Sequence, residues 1–231
     1  EKPYIRKVIE EMKQRHNVLG KTIQVADKGL NCARNIYAAV KEANDGYIFS
    51  KSIHGKNLSE KEKKWVLLEN DTNVFFNYTD ERGNISFRLK SCIDSFDYSF
   101  KEIDPETGKE SVTRFSVKEK RIVSYNPNLA KKQRLEIMKM VDKASKFSTY
   151  KNIAKDELGD CAKYVDIITK DNVGKTIKPI ISLNKSKIDE DLKYAGYNLL
   201  VTSEIDMEPL QVYKTYHSLW KIEESFRLTK S

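Results

Sequence analysis

Two places in the chain carry residue types suited to holding a metal ion or a phosphate. Near the C-terminus, Tyr216, Trp220, Glu223, Arg227 and Lys230 recur at steps of four and three, which puts all five on one stripe of a helix. The stripe aligns a ring hydroxyl, a carboxylate and two cations beside an apolar seam of Leu219, Ile222 and Phe226. A carboxylate binds a hard cation such as Mg²⁺ through oxygen, while Lys and Arg hold phosphate oxygens. A plain solvated stripe, with Glu223 pairing to Arg227 one turn on, is the alternative. Asp27 closes the apolar run Thr22–Ala26, directly before Lys28 and Gly29. In open α/β sheets, sites form at the carboxyl ends of strands, so Asp27 either faces a metal or substrate or opens an ordinary turn. A carboxylate pair meeting on one sheet suits two-metal phosphoryl transfer, although such sites usually use a third.

The charge is as uneven as the chemistry. Between Lys118 and Lys155 lie eleven basic residues, among them Lys120, Arg121, Lys131, Lys132, Arg134, Lys139, Lys143 and Lys146. Only Glu119, Glu136 and Asp142 oppose them, so this stretch carries the whole formal excess of +8. Clustered cations fit a polyanion, because each neutralised phosphate releases condensed counterions; a solvated helix face reads equally well from charge alone.

The frame that must position these groups is bounded by composition. The chain has 231 residues, of which 39% are hydrophobic and 33% charged, enough to bury a core. No window approaches the roughly 18 consecutive apolar residues of a membrane span, and the first residues do not read as a signal peptide. No membrane partner and a cytoplasmic location are therefore expected. Cys32, Cys92 and Cys161 are too few and too scattered for a disulfide framework or zinc site. His16, His54 and His217 share no ligand spacing, and no glycine-rich phosphate loop supports a nucleotide cofactor.

Periodicity predicts a helix over residues 3–19, a strand at 22–26, a helix after Asn31 and a strand at 47–50. This is α/β grammar, with a parallel sheet expected. From 73 to 126 it gives way to hairpins that turn at 80–84 and 104–108. A basic helix over about 129–146 follows, then strands at 164–169, 176–183 and 197–203, and a last helix from Pro209. The expected fold class is α/β: a core over 1–55 and 186–231, interrupted by a mainly antiparallel β insertion over 56–185.

At this point a family resemblance emerges. The run from Tyr216 to Lys230 resembles the Tyr-x2-Arg-x3-Glu-x6-Lys signature of bacterial insertion-sequence transposases of the DDE type. Residues 25–30 look like that group's second-aspartate motif, and residues 196–203 resemble the strand before its signature helix. The resemblance implies an incomplete ribonuclease H-like core with a β insertion, and Mg²⁺ (or Mn²⁺) dependent cutting and joining of transposon DNA ends. It makes Asp27 the second catalytic carboxylate and Glu223 the third, both metal ligands, with Tyr216 and Lys230 against DNA phosphates. Leu219 stands where the signature has Arg, so one phosphate contact is either missing or supplied elsewhere, with Lys221 and Arg227 as the candidates. The basic region with Lys131, Lys132 and Arg134 becomes a DNA surface, and a synaptic homodimer is implied. Trp65, in the insertion, could stack on a flipped base, but packing beside Val66, Leu67 and Leu68 is the favoured role. The family's first aspartate is expected upstream of Glu1, which makes this chain alone inactive. A non-catalytic or domesticated DNA-binding relic is the competing reading.

Overall fold

The computed structural model describes residues 2–55, 58–67, 76–103, 107–147, 155–170 and 176–228. By its internal contacts the chain divides into two units. The first comprises Glu1–Tyr78, Arg88–Ser124 and Asn198–Ser231; the second comprises Thr79–Phe87 and Tyr125–Tyr197.

The first unit is a mixed α/β structure. Helix α1 (Lys2–Arg15) leads to strand β1 (Ile23–Ala26), and α2 (Ala33–Tyr37) continues into a π-helical turn, Ala38–Glu42, before β2 (Gly46–Lys51). Strands β1 and β2 are parallel, with Ala26 opposite Phe49, as a helical crossover requires. A short helix, α3 (Glu60–Leu67), precedes β3 (Phe76–Thr79), followed by the long hairpin strands β4 (Ile85–Ile103) and β5 (Glu110–Tyr125). β8 (Tyr197–Thr202) and α6 (Pro209–Leu228) close the unit.

The sheet order is β1-β2-β8-β5-β4-β3. β8 runs antiparallel to β2, with Ile48 opposite Thr202, so the sheet is mixed rather than the parallel one expected. The apolar runs at 47–50 and 197–203 report burial on both faces, and burial is blind to strand direction. β4 and β5 extend the same sheet that holds β1, β2 and β8. Tyr47, Ile48, Leu200 and Val201 are fully buried at its centre.

The second unit holds α4 (Pro127–Phe147), a 3₁₀ segment (Lys155–Tyr164), the antiparallel pair β6 (Val165–Lys170) and β7 (Thr176–Leu183), and α5 (Lys185–Tyr194). Its core gathers Ile137, Val141 and Ala144 of α4 with Leu158, Cys161 and Tyr164. Gly196 sits at φ +85°, where a Cβ would fall 2.5 Å from Ala130 Cβ, so only glycine lets the chain pass α4 this closely. α5 starts from Asn184, whose side chain accepts from the Lys187 N–H at 2.8 Å.

Candidate functional site

Asp27 stands at the carboxyl end of β1, exposed, one residue beyond buried Ala26. Its Oδ1 accepts from the Gly29 N–H at 2.9 Å, and its carbonyl accepts from Leu30 N–H at 3.2 Å, an Asx turn that fixes the carboxylate direction. A Cβ on Gly29 would sit 3.1 Å from that Oδ1. Asn31 donates to Ser50 O at 3.0 Å, and Asn35 donates to Leu30 O at 2.8 Å, tying the loop to the end of β2. Oδ2 accepts no hydrogen bond among the described residues, which leaves it the donor oxygen a hard cation would take.

The stripe expected to face Asp27 lies on α6. The chain leaves β8 at Thr202, opposite Ile48 near the amino end of β2, and α6 packs against β1 and β2. Val212, fully buried, anchors it. Tyr216 is half-buried, its ring edge-on to His217 at 5.6 Å between centroids. Glu223 and Arg227 fall within the helix, but their side chains, like that of Trp220, lie outside the described residues, as does Lys230 altogether.

The basic stretch separates into two kinds of residue. Lys131, Lys132, Arg134, Lys139 and Lys143 are exposed on α4, and none has an ion-pair partner among the described residues. Lys120 and Arg121 are buried instead. Lys120 Nζ donates to Met207 O at 2.6 Å, and Arg121 is committed to two carboxylates, so neither belongs to a DNA surface. β5 is an interior strand of the sheet there, and both of its faces are covered.

Arg121 belongs to a buried polar network that sequence reading misses. Glu119, fully buried on β5, accepts from the Tyr47 hydroxyl at 2.6 Å, reaching across β8 to β2, and from the Tyr98 hydroxyl of β4 at 2.7 Å. Its other oxygen accepts from Arg121 Nε at 2.8 Å, and Arg121 also pairs with Glu62 of α3. The guanidinium lies 3.3 Å from the Phe96 ring centroid. Burial, then the Glu119 charge, push both tyrosine hydroxyls above their usual pKa. Burial works against ionisation of Glu62, but Ser59 and Arg121 outweigh it and bring its carboxyl to about 2. Lys51, at the carboxyl end of β2, has its ammonium 5.6 Å from the Tyr98 ring centroid, and burial followed by Arg121 lowers its pKa. The only sequence sign of this network is Ser59-x-x-Glu62, a capping box whose hydroxyl and N–H both meet Glu62.

Trp65 is half-buried on α3, and its ring faces the Lys90 ammonium at 5.0 Å. Val66 and Leu67 beside it are buried, as the packing role expects of them, and Leu68 lies outside the described residues. No described helix is long and apolar enough to cross a membrane. Searched against protein-family models, curated proteins and solved structures, the chain matches none.

Proposed function

We propose that this chain is part of the catalytic core of a DDE-type DNA transposase, with a ribonuclease H-like sheet carrying Asp27 and Glu223 as divalent-metal ligands. The observation that carries the reading is the connection from β8 to α6. α6 follows β8, which ends opposite Ile48 near the amino end of β2, and it packs on β1 and β2. Glu223 is roughly 21 Å along it from Pro209 at 1.5 Å per residue. The six residues of β2 cover about 20 Å. A helix running back along β2 would bring Glu223 level with Asp27, whose Oδ2 accepts no hydrogen bond among the described residues and fits a hard cation.

Bound Mg²⁺ would supply activation of a water or 3′-hydroxyl and stabilisation of the leaving oxygen. The residues of the chain do the holding. Asp27 is aimed by its turn, Tyr216 and Lys230 hold phosphate oxygens, and the exposed Lys132 and Arg134 of the second unit neutralise DNA phosphates. The reading needs one more carboxylate. The unpaired edge of β1, which has only β2 as neighbour among the described residues, gives a further acid-bearing strand a place next to Asp27.

The test is strand transfer by the full-length protein with Asp27→Asn and Glu223→Gln. Each abolishes Mg²⁺-dependent joining of transposon ends while leaving salt-sensitive DNA binding intact. Lys132→Glu with Lys139→Glu weakens binding to every DNA sequence and flattens the log–log salt dependence by about 2. Transposition that survives both carboxylate changes removes the catalytic assignment and leaves a DNA-binding relic.

A further inference from the structure

Helix α4 has a second face that its own unit leaves uncovered. Ala130, Ile137, Val141 and Ala144 point into the core. On the opposite side Asn128, Lys131, Leu135, Met138 and Asp142 recur at steps of three and four, the spacing of a helix-pair seam. Leu135 is 57% exposed and Met138 44%. Lys131 and Asp142 are exposed and have no ion-pair partner among the described residues.

This stripe is complementary to itself in reverse. About a midpoint between Glu136 and Ile137, Lys131 falls opposite Asp142, Leu135 opposite Met138, and Asn128 opposite Ser145. An isologous two-fold contact imposes that condition, since residue i meets j and j meets i. We propose that α4 is a dimerisation helix that pairs antiparallel with α4 of a second copy of this chain. Two Lys131–Asp142 ion pairs flank a Leu135–Met138 centre.

The symmetry also sets the salt response. A two-fold axis perpendicular to the plane of the two helices keeps each flank on its own side. Lys132, Lys139 and Lys143 of both copies therefore form one double ridge of positive charge. Their repulsion opposes association at low ionic strength, and screening relieves it. Added salt thus tightens this dimer, the reverse of a contact held by ion pairs alone. The proposal uses the second unit only and does not depend on the catalytic reading.

Sedimentation velocity of the full chain, over a wide range of protein and salt concentration, tests it. A concentration-dependent dimer that tightens with salt is expected. Lys131→Asp and Asp142→Lys each reverse two symmetry-related exposed contacts, which weakens the dimer about tenfold. The double variant K131D/D142K recovers the lost affinity. Leu135→Glu abolishes the dimer with an unchanged circular dichroism spectrum, because the side chain is exposed in the monomer. A chain that stays monomeric at every concentration overturns the proposal, as does a double swap no tighter than the single ones.

Discussion

Replacing Glu119 by Gln keeps the shape of the side chain and removes one charge from the centre of the six-stranded sheet. In the native protein Oε2 takes two tyrosine hydroxyls, at 2.6 and 2.7 Å, and Oε1 takes Arg121 Nε at 2.8 Å. Hydrogen bonds to a charged group contribute about 1.5–3 kcal/mol and neutral ones about 0.5–1.5, so the two tyrosine bonds lose about 2 kcal/mol together. Removing one partner of a buried ion pair costs about 3–5 kcal/mol, and retention of Glu62 by Arg121 cuts that by more than half. The expected loss is therefore about 3–4 kcal/mol. Tyr98→Phe alone removes a single bond to the charged carboxylate and costs about 1.5–3 kcal/mol. Both changes act on one network, so the double variant loses less than the sum of the singles. Urea unfolding at neutral pH, followed by circular dichroism, reads all three, and the slope of stability against denaturant should not change. A loss under about 1 kcal/mol for Glu119→Gln would refute the reasoning, as would strict additivity with Tyr98→Phe.

Acid should weaken the same unit by a separable route. The Glu62 carboxyl titrates near 2 in the folded protein against an ordinary 4.5, so its contribution is complete above that ordinary value and fades as pH falls towards 2. Stability measured across this window should decline less steeply in Glu62→Gln than in the parent; identical slopes would show that Glu62 is not the group responsible. In the second unit, Gly196→Ala meets both a left-handed φ of +85° and the Ala130 and Asn126 atoms, at 2.5 and 2.8 Å. Gly83→Ala, at φ +78° with nothing within 4 Å, meets only the backbone strain of about 1 kcal/mol. Thermal melts should rank Gly196→Ala clearly below Gly83→Ala, and equal melting temperatures would contradict the close approach to α4.

Local patterning was enough to find α1, β1, β2, α4, β6, β7, β8 and α6, because each advertises itself through the spacing of apolar residues in its own segment. The turn at 80–84 was equally legible, since the Asp80 side chain accepts from the N–H groups of Arg82 and Asn84 within four residues. α3 and α5 were missed. They are short and highly charged, and their helical state is declared by the caps at Ser59 and Asn184 rather than by periodicity. For the candidate site, the sequence supplied the type and spacing of Asp27 and the α6 stripe. The strand order that brings α6 against β1 and β2 was not in any local pattern.

The widest gap between sequence and tertiary structure lies in β5. Lys118-Glu119-Lys120-Arg121 reads as a charged surface run, since ionisable side chains are rarely buried unless paired. Each segment determined by itself that these residues alternate across a strand. Whether they met water or partners was decided by which strands came alongside. Tyr47 is 72 residues from Glu119 in the chain and Glu62 is 59 from Arg121, and no local signal carries such distances. Periodicity is a property of one segment, whereas the solvation of a charge belongs to everything folded around it.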